Sequence, residues 1–123
     1  MKVLALDFGL KHIGLALAEG PLAAPLGQTK FKSTEKLLEL IAKQEVELVV
    51  LGLPEGRLAV QVKDLGGQIQ NALKLPVVYQ DETLSTQAAK AKMLAAGMPQ
   101  KKRRSDHAAS ATVILQTWLD DHS

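Results

Sequence analysis

Three acidic residues stand where a carboxylate is costly or unusual unless it does chemistry. Asp7 closes the apolar run Lys2 to Leu6, which suits a buried central strand. Glu82 lies just beyond a second short extended run, Pro76 to Tyr79, and Asp106 opens a helical pattern that continues to about Leu119. In α/β sheets, sites gather where strand ends and helix N-termini converge. Three carboxylates meeting there repel one another unless a divalent cation neutralises them, and an all-oxygen donor set suits Mg²⁺ or Mn²⁺. A pair of such ions, about 3.5–4 Å apart, activates water and stabilises a leaving oxygen, which is what phosphodiester hydrolysis needs. Each residue also has an ordinary explanation: Asp7 as a turn former, Glu82 as a surface carboxylate, Asp106 at the positive end of a helix. Spacing alone does not bring the three together.

The remaining chemistry is basic or imidazole. Fifteen Lys and Arg against thirteen Asp and Glu leave a formal charge of +2, too little to argue for nucleic acid on net charge. Lys101-Lys102-Arg103-Arg104, however, sets four cations in a row just before Asp106, and the run reads either as a solvated loop or as a phosphate contact. His12 and His107 flank the candidate acids in sequence, where histidine could move protons or ligate metal, or could simply face solvent. Aromatic residues make up only 3% of the chain, so recognition by a row of stacked bases is not expected and partners would be held by their backbone. With no cysteine, disulfides, thiolate metal sites and cysteine nucleophiles are excluded.

These residues need a scaffold to meet on. At 123 residues and 46% hydrophobic, the chain is sized for one domain, 1–123, with one core. The apolar run at the N-terminus is broken at once by Asp7, and no window approaches a membrane span, so a cytoplasmic protein without membrane contact is expected. After the first strand, Ile13 to Ala18 reads as a second, close enough for an antiparallel hairpin. Gln28 to Lys32 suits a third. Ser33 or Thr34 can cap a helix ending near Gln44, with Leu37, Leu38 and Ile41 on one face. Glu47 to Gly52 is a buried strand stopped by Pro54. Leu58, Val62, Leu65, Ile69 and Leu73 then mark an amphipathic helix, which Gly66-Gly67 weakens. Ser85 or Thr86 can start an Ala-rich helix stopping at Gly97, before the last helix from about Asp106. An antiparallel start followed by alternating strands and helices predicts an α/β protein: a mixed five-stranded sheet with helices on both faces. The strand ends carrying Asp7 and Glu82 are expected side by side, with Asp106 facing them.

Four segments, Asp7 to Ala16, Val50 to Pro54, Asp81 to Thr86, and Asp106 to Ser110 followed by Ile114-Leu115-Gln116, resemble in order the signature blocks of the YqgF family. That family comprises Holliday junction resolvases and nucleases that mature the pre-16S ribosomal RNA. The resemblance spans residues 1 to 119. It implies a ribonuclease H-like fold and a metal-dependent endonuclease whose catalytic and metal-binding residues are Asp7, Glu82 and Asp106, with Mg²⁺ or Mn²⁺ as cofactor. Gly9 and Gly14 match family glycines and would leave room for close backbone approach beside metal or phosphate. Lys11 matches a basic position that would touch phosphate, with Lys101, Lys102, Arg103 and Arg104 as further contacts. Ser85 and Thr86 match a Ser-Thr pair that helix capping also explains. Thr83 and His12 stand where the family commonly has arginine, and Glu55-Gly56-Arg57 leads into a helix where it usually has a longer polar loop. Those departures touch substrate grip and leave the acids intact.

The partner is then a structured nucleic acid, either a four-way DNA junction or a ribosomal RNA precursor, and the hydrolytic constellation is indifferent to the sugar. Monomer and homodimer both fit. Two other functions share some of these features. A nucleic-acid-binding or ribosome-associated module without turnover would need none of the acids, although all three are present. An actin-like phosphotransferase opens on a similar Asp-Phe-Gly turn but pairs two such domains around a nucleotide.

Overall fold

The computed structural model describes residues 1–9, 11–54, 56–81 and 107–122. The strands are β1 (Val3–Phe8), β2 (His12–Ala18), β3 (Ala24–Lys30), β4 (Leu48–Leu53) and β5 (Val77–Asp81). The helices are α1 (Thr34–Lys43), α2 (Arg57–Leu73) and α3 (His107–Asp121). The five strands form one sheet in the order β3-β2-β1-β4-β5. Its first three strands are antiparallel, while β4 and β5 run parallel to β1, which makes the sheet mixed as the pattern predicted.

Alternation along the strands builds two apolar layers. Leu4 and Leu6 of β1, Ile13 and Leu15 of β2, and Val49 and Leu51 of β4 face Leu37 and Ile41 of α1 and Val62 and Ile69 of α2. The intervening residues, Val3, Ala5, Ala16, Ala18, Leu48 and Val50, face Ala111, Ile114 and Leu115 of α3. Many of this second set are alanines, so α3 packs on a shallow surface and its backbone comes close to the sheet. Ser33, rather than Thr34, caps α1: its hydroxyl accepts the Lys36 N–H at 3.2 Å. Gly66, which weakens α2 on propensity, faces the Tyr79 hydroxyl with no space for a Cβ.

Three details depart from the sequence reading. β1 and β5 continue past the apolar runs, so Asp7 and Asp81 belong to strands; ladder bonds are made by backbone and do not require an apolar side chain. β3 starts at Ala24 and includes Pro25, which an edge strand tolerates because one side of it has no ladder to donate to. Finally, β1 and β5 are not neighbours. β4 lies between them, so the ends of the two acid-bearing strands are not side by side as expected, but roughly 10 Å apart across two strand spacings. They do share an edge, because β1, β4 and β5 are parallel and finish on the same side of the sheet.

Candidate active site

Asp7 continues the alternation Val3, Ala5, and so projects on the α3 side of the sheet. It is buried, with 7% of its surface exposed. Its partner across the β1–β2 ladder is Gly14, and the reason for a glycine there is on the opposite side of the layer. A Cβ at Gly14 would overlap the carbonyl of His107 and press on the backbone nitrogen of Ala108. The first turn of α3 therefore rests directly on β2, beside the carboxylate. Gly14 makes room for a helix backbone, a close approach of a different kind from the metal or phosphate contact its sequence position implied.

That placement brings His107 to Asp7. The imidazole Nδ1 lies 3.6 Å from the carboxylate Oδ2, within ion-pair range but too long for a hydrogen bond. The His107 backbone N–H donates to the Gln28 side-chain oxygen at 3.3 Å, so β3 satisfies one of the N–H groups that a helix start leaves free. The ring lies roughly parallel to that of His12, with centroids 6.3 Å apart. Gly9 is the other neighbour. A Cβ there would come within 2.6 Å of His107 Cε1, and the Gly9 N–H donates to the His12 carbonyl at 2.8 Å, closing the β1–β2 turn. His107, which could equally have pointed away, thus adjoins Asp7, and His12 lies beside His107.

The other sequence-derived residues divide as follows. Lys11 is exposed in the β1–β2 turn, and its carbonyl accepts the Phe31 N–H at 3.4 Å. Glu82, Thr83, Ser85, Thr86, Lys101, Lys102, Arg103, Arg104 and Asp106 lie outside the described residues. Among the described residues no group of three or more His, Asp or Glu side chains could hold a metal ion. Sequence reasoning passed over Gln28, whose link to α3 is purely three-dimensional, and took Gln116 only as part of a resembling block. Gln116 is fully buried in α3. Its oxygen accepts the Ala23 N–H at 2.9 Å, and its amide donates to the Pro21 carbonyl at 2.9 Å and to Asp120 Oδ1 at 3.0 Å. It ties the β2–β3 connection to the helix whose other end meets Asp7.

A family model described as RuvX, Holliday junction resolvase, matches residues 1–121. The chain belongs to the RuvX (YqgF) family. A relative from Maridesulfovibrio salexigens is 33% identical over 97% of this chain and 98% of its own length, and one from Lactococcus lactis subsp. lactis is 35% identical over 99% and 96%. Both carry the name "Putative pre-16S rRNA nuclease". Among solved structures, the RuvX-family sheet is similar to Thermus thermophilus RuvC in complex with a Holliday junction substrate, with a TM-score of 0.68 at 19% identity, covering 99% of this chain and 95% of that one. The fowlpox virus Holliday junction resolvase also matches with a TM-score of 0.68, at 10% identity over the whole of both chains. The RuvX-family chain has the ribonuclease H-like fold of these resolvases.

Proposed function

We propose that the chain is an endonuclease that hydrolyses phosphodiesters in structured nucleic acid with the help of a divalent cation, and that Asp7, Glu82 and Asp106 are its catalytic carboxylates. The observation that carries the reading is Asp7: an acidic residue in the central strand, nine-tenths withdrawn from water, at the sheet edge where three parallel strands end and beside the first turn of α3. Burial of a carboxylate costs free energy unless something compensates it. His107 at 3.6 Å does so only partly, which leaves carboxylate lone pairs for a cation. Glu82 follows Asp81 in the chain and Asp106 precedes His107, so the expected donors are oxygens, a set that fits Mg²⁺ or Mn²⁺.

In this reading, Asp7, Glu82 and Asp106 hold the cation, which when bound supplies an activated water and offsets charge on the leaving oxygen. As a residue of β1, Asp7 would offer its carboxylate at a place fixed by the sheet. His107 positions Asp7, and Gln28 positions His107 through its backbone N–H. The names of the relatives point to pre-16S ribosomal RNA and the family description to four-way DNA junctions. Purified protein offered both substrates with Mg²⁺ or Mn²⁺ is expected to cleave at least one of them, and chelation with EDTA to stop it. Retention of both substrates with cleavage of neither would make the chain a binding module.

A further inference from the structure

On the α1 side of the sheet, opposite the layer that Asp7 faces, lies a second chemical feature. Lys30, Lys32, Lys36 and Lys43, all exposed, line a groove of about 250 Å³ together with Phe31, and Glu39 is the acid on its wall. Among the described residues none of the four lysines forms an ion pair. Phe31 is 46% exposed, an unusual state for a phenylalanine in a chain that has only two. Phe31 also borders a second hollow of about 330 Å³ lined by Phe8 and Gly9, and its N–H donates to the Lys11 carbonyl, which sets it beside the β1–β2 turn. Lys30 is the ladder partner of His12, whose ring lies over His107. β3 runs parallel to β1, so Lys30 and Phe31 stand at the edge of the sheet where Asp7 also lies.

We infer that this surface binds an unpaired nucleotide of the substrate flanking the scissile phosphate, with Phe31 stacking on its base and Lys30, Lys32 and Lys36 contacting the adjoining phosphates. The inference rests on the nuclease reading for the direction in which the strand leaves the site. One aromatic face framed by cations is the arrangement that holds single strands without reading sequence, since every base has a π-face and every nucleotide a phosphate. A duplex keeps its bases stacked and would gain only the lysine contacts, and an acidic protein surface would make no use of the ring. Overall scarcity of aromatics excludes a stacking platform of several residues; it does not exclude one.

The test is binding by the full-length protein, without cleavage, to a single-stranded oligonucleotide carrying 2-aminopurine and to a blunt duplex of the same sequence, across a salt series. Phe31→Leu keeps an apolar side chain and removes the π-face. It is expected to weaken single-strand binding about tenfold and relieve 2-aminopurine quenching, with little effect on the duplex, while Phe31→Tyr restores both. Lys30→Gln, Lys32→Gln and Lys36→Gln together should lower the steepness of the salt dependence by about 2 in log–log slope. Melting temperatures establish that the exposed substitutions leave the fold unchanged. If the wild type binds and these variants match it in affinity, quenching and salt slope, the groove is a solvated surface and the inference is wrong, while the nuclease reading stands. If the variants lose binding as described but wild-type protein cleaves nothing with Mn²⁺, the groove stands and the nuclease reading fails. Equal loss on duplex and single strand from Phe31→Leu would also overturn the stacking role.

Discussion

Gly14 and Gly9 both face His107, and they differ in what would have to yield to a side chain. At Gly14 the obstacle is helix backbone, the carbonyl of His107 and the nitrogen of Ala108, which cannot rotate aside. Gly14→Ala is expected to push α3 off β2 and to lower stability by about 2–3 kcal/mol, a magnitude typical of overpacking in a rigid setting. At Gly9 the tightest obstacle is the end of the His107 ring, with the His12 carbonyl less close at 3.1 Å. Gly9→Ala should therefore fold with a melting temperature near that of the wild type while displacing His107 from Asp7, so that activity falls without unfolding. Thermal melts beside a cleavage assay distinguish the two. Asp7 and both glycines are legible in the sequence as positions where something special happens. The reason for Gly14 is not, because the helix that forbids its side chain starts 93 residues later. His107 stands out in the sequence beside a candidate acid, but its contact with Asp7 does not, because that depends on how α3 crosses the sheet, which no local pattern records.

At the level of elements, apolar periodicity locates all five strands and the three described helices, since burial of one face is what stabilises each of them. It misplaces their ends, notably at β3, expected from Gln28 to Lys32 but running from Ala24 to Lys30 through Pro25, which an edge strand accommodates. The contacts that hold elements in place are polar and long-range. Gln116→Ala would leave the Ala23 N–H and the Pro21 carbonyl without their partner. Such buried unsatisfied groups cost about 1–3 kcal/mol, so a clear fall in melting temperature is expected, together with loss of cleavage if α3 shifts. The α2–β5 contact carries a pH signature. Tyr79 donates its hydroxyl to the Lys63 carbonyl at 3.2 Å, and burial pushes its phenol above the usual value of 10.0. A raised value in the fold means that the contribution is present while the phenol is neutral in both states, and is lost as pH rises beyond the unfolded value near 10. Wild-type stability should therefore decline more steeply above that pH than that of Tyr79→Phe, as urea titrations at pH 9 and 11 would reveal.

For the whole molecule, the decisive arrangement is a sheet whose central strand ends in a buried carboxylate, backed by a helix that begins at the same edge. Fold class and family membership follow from four blocks in order along the chain, but strand order does not. β4 and β5 each return parallel through a helix, and which of them lies next to β1 is set by packing. The central claim is that Asp7 holds a cation for hydrolysis, and Asp7→Asn tests it most directly because the amide keeps the volume and removes the charge. The measurement is Mn²⁺-dependent cleavage of the preferred substrate by wild type and variant, with melting temperature recorded with and without Mn²⁺. The variant is expected to fold, to lose most of the stabilisation that Mn²⁺ confers on the wild type, and to cleave slower by orders of magnitude. A folded Asp7→Asn protein that is stabilised by Mn²⁺ and cleaves at the wild-type rate, with contaminating nuclease excluded, would contradict that claim.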